Sequence, residues 1–216
     1  DGLSYEWSLV TSTPGSPAIT LSSTTAATPT FEAVDDGQYT FLLTVTDEQG
    51  STDTDDVVVT VTNVAPAVDV SNVPSTVVEG ATINLTGAVT DPGAVDSHDY
   101  AWSVTKDGTP FDSGVEPTIS ITVADNAEYI VTVIVTDDDG GQGSDSVTIP
   151  VANVAPVVTL TVNGTGLHQG ETLAGSGGFT DPGADTWTAT VDYGDGTGVQ
   201  PLGLNPDKTF ALSHRY

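Results

Sequence analysis

A chain of 216 residues with 30 acidic and 3 basic side chains carries a net charge of −27, which no internal pairing of charges can balance. Nucleic acids and anionic membrane surfaces both attract positive protein, so they are excluded as partners by sign. There is no cysteine, so folding rests on packing rather than on disulfides. No stretch approaches the roughly 20 apolar residues of a membrane-crossing helix, so membrane insertion is not expected.

Along the chain the first clear elements are strands at 39–46 and 55–62, joined by the turn Asp47-Glu48-Gln49-Gly50. Alternating Val, Ile, Thr and Tyr next predict strands at 67–70, 82–86, 99–105 and 118–123. A hairpin follows, 129–136 and 144–151, turning through Asp137-Asp138-Asp139-Gly140-Gly141. Helical periodicity is absent, and about seven short strands per unit with frequent turn signals is the pattern of an immunoglobulin-like sandwich. The fold class is therefore expected to be all-β, as antiparallel sandwiches in a linear array.

The sequence repeats at a period of 90 residues. Asn63-Val64-Ala65-Pro66 returns as Asn153-Val154-Ala155-Pro156, and Thr90-Asp91-Pro92-Gly93-Ala94 returns as Thr180-Asp181-Pro182-Gly183-Ala184. A fixed period means one structural unit used several times. The boundaries divide the chain into residues 1–62, 63–152 and 153–216, with no Gly/Ser linker between them, which favours a semi-rigid rod. Residue 1 aligns with the middle of repeat two, and residue 216 falls before the closing hairpin. The outer repeats are thus expected to be partial: either the chain is part of a longer array, or neighbouring copies complete it by strand exchange into a filament.

Repeat three carries Tyr193-Gly194-Asp195-Gly196, followed by His214-Arg215-Tyr216. These resemble the aromatic-Gly-Asp-Gly and His-x-Tyr steps of polycystic-kidney-disease (PKD) type repeats. Repeats one and two resemble that family through the terminal hairpin but depart at its centre, where repeat two reads Thr105-Lys106-Asp107-Gly108.

Oxygen-rich loops are the best candidate site, because calcium takes six to eight oxygen ligands. Asp91 and Asp96 lie between the second and third strands of repeat two, and Asp137 ends its penultimate strand. A Greek-key sandwich gathers such loops at one end, beside Asn63. Some PKD domains bind calcium with a set of this kind. The resemblance implies Asn63, Asp91, Asp96 and Asp137 in repeat two, Asn153, Asp181 and Asp185 in repeat three, and Asp1 and Asp47 in repeat one. The competing reading is ordinary turn chemistry, since Asp-Pro-Gly and Asp-Gly-Gly need no metal. Asp138, Asp139, Asp192 and Asp195 are expected to be turn residues. Asn63 and Asn153 either cap a turn or, as in cadherin linkers, serve as ligands between domains.

Catalysis has little to draw on. His98, His168 and His214 occupy non-equivalent positions, and no zinc pair, thiol nucleophile or phosphate loop is present. No enzyme activity is expected. Trp7 and Trp102 fit the core tryptophan of an immunoglobulin-like third strand. An exposed row of Trp7, Trp102 and Trp187 would instead suit a carbohydrate- or protein-binding module. Asn84-Leu85-Thr86 and Asn163-Gly164-Thr165 are glycosylation sequons relevant only to a eukaryotic source. Together these features predict an acidic extracellular spacer of a secreted or cell-surface protein, bacterial in character and stiffened by calcium. Its neighbours would be repeats of the same array or copies of the chain, with polysaccharide or a surface protein as further possible partners.

Overall fold

The computed structural model describes residues 2–13, 18–164 and 166–216, and every regular element among them is a strand. Repeat one contributes β1 (Ser4–Ser12), β2 (Gly37–Thr46) and β3 (Thr52–Val61), paired in the order β1-β2-β3. Repeat two contributes β4 (Ala67–Ser71), β5 (Val77–Val78), β6 (Thr82–Thr90), β7 (His98–Lys106) and β8 (Thr109–Gly114), then β9 (Thr118–Thr122), β10 (Ala127–Asp137) and β11 (Gln142–Ala152). Repeat three contributes β12 (Val157–Val162), β13 (Thr172–Thr180), β14 (Ala189–Val191), β15 (Gln200–Leu202) and β16 (Thr209–Arg215).

Repeat two is a two-layer sandwich. One sheet has the order β5-β11-β10-β7-β8, the other β4-β6-β9. The period-2 rule decides which side chains face inward. On β10, Tyr129, Val131, Val133 and Val135 are all buried, and Asp137 is the next residue in phase. The strand therefore delivers Asp137, only 4 % exposed, to the end of the sandwich on the inward side. Trp102 on β7 is 3 % exposed and its Nε1 donates to the Glu116 carbonyl at 2.8 Å, so it belongs to the core and not to a surface row. Trp7 is half-buried and donates to the Ala26 carbonyl at 3.1 Å.

The predicted strands of repeat two are all present, most of them longer than expected. Two further strands carry no clear sequence signal. β8 follows a tight turn in which Asp107 (φ 47°) and Gly108 (φ 78°) both take left-handed backbone, as a two-residue type I′ hairpin requires. The segment that departs from the PKD signature is thus a hairpin turn. β5 is too short to announce itself; it pairs in parallel with β11 through Val77↔Val151 and Val78↔Ala152.

The outer repeats have thinner cores. Tyr39 and Phe41 are buried in repeat one, with Phe31 packed on Phe41 at 4.8 Å. Phe210 and Leu212 are buried in repeat three, while Val57, Val58, Val157, Val158 and Leu160 remain exposed on β3 and β12.

Candidate metal centres at the repeat junctions

Among the described residues, four groups of three carboxylates lie with oxygens within 4.8 Å of one another, and all are found where one repeat meets the next. At the first junction Asp91, Asp96 and Asp137 form one group, Asp96, Asp138 and Asp139 a second, and Asp35, Asp36 and Asp139 a third. At the second junction Glu79, Asp125 and Asp185 form the fourth.

The first junction is built from three loops. Asp137 Oδ1 accepts the Gly141 N–H at 2.6 Å, and its Oδ2 accepts the Asn63 amide at 2.9 Å. These bonds, the Asn63 amide foremost, hold the Asp137 carboxyl below the usual range. The fit leaves no room for a side chain at Gly141, whose Cβ would stand 2.5 Å from Asp137 Oδ2 and 2.9 Å from Asn63 Nδ2. Asp91 closes its own turn by accepting the Gly93 N–H at 2.9 Å and lies 3.0 Å from His98 Nε2. Asp96 is pushed up by burial, then by Asp91, Asp138, Asp35 and Asp137 in turn. Repeat one reaches this surface through the Val34 carbonyl, which accepts the Ala94 N–H at 3.2 Å. A cavity of about 110 Å³ between the repeats is lined by Asp35, Asp36, Asn63, Pro92, Gly93 and Asp96, among others.

Asp139 faces the preceding repeat. Burial, followed by its hydrogen bond to Asp36, pushes its carboxyl up to about 6. A carboxyl whose folded pKa is raised binds its proton more tightly folded than unfolded, so its ionisation works against folding at neutral pH. That opposition fades as pH falls through about 6 towards the ordinary carboxylate value near 4. Asp137 and Asp125, which are held low, contribute stability above the unfolded value and lose it only at more acid pH. In chelator the melting temperature should therefore rise as pH is lowered from about 7.5 to about 5, then fall below about 4. Asp139→Asn should flatten the rise; a melting temperature constant across that range would refute the assignment.

The second junction uses equivalent loops. Asp185 is pushed up by burial, then by Glu79, Asp181 and Asp125. Asn153, with its amide nitrogen turned to the carboxylates, reaches Glu79 Oε1 at 3.0 Å and Asp185 Oδ2 at 3.3 Å. Asp181 holds the Gly183 N–H at 2.9 Å, and its backbone carbonyl accepts Lys208 Nζ at 2.9 Å. Lys106 Nζ lies 2.6 Å from Asp125 Oδ2, and this contact draws the Asp125 carboxyl down.

Of the residues expected to hold a metal, the structure brings together Asn63, Asp91, Asp96 and Asp137 in one place, and Asn153 with Asp185 in another, Asp181 being close by. Asp47 stands apart in its hairpin turn, where Oδ1 accepts the N–H groups of Gln49 and Ser51, and it joins none of the carboxylate groups among the described residues. Asp1 lies outside the described residues. Sequence reasoning missed Glu79, Asp125, Asp35 and Asp36. The one available signal was the period, which aligns Asp35 with Asp125 as the preceding repeat's contribution to each junction. Asp138 accepts the Ser97 N–H at 2.9 Å yet also joins a carboxylate group, as does Asp139. Asp192 and Asp195 accept the N–H groups of Gly194 and Thr197, as turn residues do.

Two of the histidines serve structural contacts. His98 bonds Asp91, as described above. His214 stacks on Tyr193 at 4.1 Å and bonds Asp195 at 2.9 Å, while Tyr216 donates to the Tyr193 carbonyl at 2.8 Å. The Tyr-Gly-Asp-Gly and His-x-Tyr steps thus meet face to face. Trp187 packs on Phe179 at 5.4 Å beneath Lys208 Nζ at 4.2 Å, beside an apolar cleft of about 250 Å³.

The family model described as the K319L-like PKD domain matches residues 1–61, and that described as the PKD domain matches residues 63–151. No curated protein matches. Among solved structures, fibronectin(III)-like modules of Clostridium thermocellum CbhA are 22 % identical, covering 68 % of this chain and 77 % of theirs at a TM-score of 0.32. Three N-terminal domains of the bacteriophage RB49 outer capsid protein Hoc are 16 % identical, covering 98 % and 75 % at 0.35. A solved chain from a study of a 1.5-MDa bacterial ice-binding adhesin is 19 % identical, with 99 % of this chain and 75 % of that solved chain covered at 0.31. Likenesses at this level carry no functional argument. The two family matches agree with each other and with the sandwich of repeat two, and by them the chain belongs to the PKD-domain family.

Proposed function

We propose that this chain is a structural or adhesive extracellular segment, an acidic spacer whose repeat junctions are closed by calcium. Such repeats are typically non-catalytic modules, and no helix among the described residues is long and apolar enough to cross a membrane. The observation that carries the reading is the mixed origin of the junction carboxylates. Asp35 and Asp36 come from repeat one and meet Asp139 of repeat two, while Glu79 and Asp125 come from repeat two and meet Asp185 of repeat three. Like charges gathered across an interface push two units apart unless a cation lies between them.

The donor set fits calcium. It consists of carboxylate oxygens with amide and backbone carbonyls nearby, without sulfur, and with the one adjacent imidazole, His98, turned to Asp91. When bound, calcium would supply the counter-charge. Asp137 and Asn63 would orient the loops, and Asp139 would give up the proton that burial helps it hold. Small-angle scattering and thermal melting of the chain, with calcium and with chelator, test this. The expected result is a longer, stiffer particle with a higher melting temperature in calcium, and superimposable curves would overturn it.

A second reading, strand exchange between copies into a filament, draws on the exposed Val157, Val158 and Leu160 of β12 and Val57 and Val58 of β3. It requires sedimentation to show concentration-dependent assembly. A monomer at every concentration would end it.

A further inference from the structure

Glu79 is the most deeply buried carboxylate among the described residues, 2 % exposed, and neither turn chemistry nor the metal reading accounts for its backbone contacts. It stands where β5 ends. Its own N–H donates to the Ala152 carbonyl at 3.1 Å, which pins it to the last residue of β11. From there its carboxylate reaches forward over the boundary. Oε1 accepts the Val154 N–H at 2.7 Å and the Asn153 amide at 3.0 Å, while Oε2 accepts the Asn126 N–H at 3.1 Å. Two of these donors belong to the opening segment of the next repeat.

The surroundings are shaped to the same contact. Gly80, at φ +79°, turns the chain directly under Pro182 of repeat three, and a Cβ there would lie 2.7 Å from the proline Cβ. A Cβ on Gly183 would lie 2.6 Å from Glu79 Oε2. Gly183 thus lets the backbone close on the carboxylate, and Gly80 lets the chain pass under Pro182, contacts that only a bare backbone satisfies. Lys106 already supplies a cation at this junction, bonded to Asp125 at 2.6 Å.

We infer that the end of repeat two is a docking socket for the opening segment of a following repeat, with Glu79 as the acceptor and no metal required. A buried carboxylate that keeps three N–H donors is a strong, directional anchor, and leaving it without them is costly. The partner it fits is an Asn-x segment that presents a side-chain amide followed at once by a free backbone N–H, which is what Asn153-Val154 offers. Any repeat opening in this way meets the same requirement. At this junction the segment Asn153-Val154-Ala155-Pro156 then has a definite role, in which its first two residues fill the socket and its proline leads into the next strand.

The chain has no cysteine, so spin labels can be placed at will. One pair, on Ser144→Cys and Thr159→Cys, spans the junction; a second, on Ser113→Cys and Ser144→Cys, stays within repeat two. In chelator the wild-type junction should already give a narrow distance distribution. Glu79→Ala should roughly double its width, since domains without a firm interface move relative to one another. Glu79→Gln, which keeps one acceptor, should fall between. If Glu79→Ala also broadens the internal pair, repeat two has itself been loosened, and Asn153→Ala, which removes a donor from the other side, decides. A wild-type junction that is broad in chelator, or a width unaltered by both Glu79→Ala and Asn153→Ala, would overturn the inference. The first of those results would leave the calcium reading standing, so the two fail separately.

Discussion

Trp102→Ala should unfold repeat two at ordinary temperature or bring it close to unfolding. The indole lies on β7 at 3 % exposure, packed among the side chains that close the sandwich between its two sheets. Truncating a buried tryptophan removes its transfer energy and leaves a cavity, about 3–5 kcal/mol together. The same change strips the Glu116 carbonyl of the donor that meets it at 2.8 Å. A whole domain commonly has only about 5–15 kcal/mol of stability, so the loss is a large share of what repeat two possesses. The measurement is urea unfolding followed by far-UV circular dichroism. A midpoint within error of wild type would mean that the sandwich core is not where the structure places it.

Asp96→Asn should have opposite signs in two buffers. Asp96 stands among Asp91, Asp137, Asp138 and Asp35, and its carboxyl is pushed up by burial and by those neighbours. In chelator the uncharged amide relieves that repulsion, and the melting temperature should rise. On the calcium reading the variant would lose a ligand, and the stabilisation from metal bound only by the folded form would shrink. For wild type that stabilisation would be about 2.7 kcal/mol at a hundredfold excess of ion over its dissociation constant. Asp137→Ala is a poorer probe, because Asp137 also holds the Asn63 amide and the Gly141 N–H and so would weaken the fold in either buffer. Differential scanning calorimetry in both buffers settles the point. A shift of the same sign in each would remove Asp96 from the ligand set.

What the residues declare by themselves divides along physical lines. Strands with strict alternation, such as β10 with Tyr129, Val131, Val133 and Val135, are legible because one face must be apolar. The same alternation carries Asp137 inward, and Greek-key connectivity brings the 91–96 loop to it, so one repeat's share of the first junction is legible too. The other share is not. Which loop of the preceding repeat abuts Asp139 or Asn153 depends on how two sandwiches stack, and no local pattern records that. Asp35, Asp125 and Glu79 therefore look in sequence like ordinary solvated turn acids. The short β5 and the β8 hairpin are hidden for a different reason. Two residues are too few for periodicity, and Asp107-Gly108 stands where the PKD signature would, which masks a hairpin turn in its own right. Trp187 lies just before β14, packed on Phe179 and covered by Lys208, and not within a strand as Trp7 and Trp102 do.

The parallel pairing of β5 with β11 has a mechanical consequence. β5 lies near the start of repeat two and β11 at its end, so tension along the chain slides these two segments past each other instead of peeling them apart. In sliding, the Val77–Val151 and Val78–Ala152 pairings and the Glu79 N–H bond to Ala152 must give way together rather than in succession. The rate of forced rupture is then set by breaking a short patch as one event, and that patch ends on the residue that grips the next repeat. A load arriving from repeat three therefore meets this sheared patch of β5 and β11 as it enters repeat two.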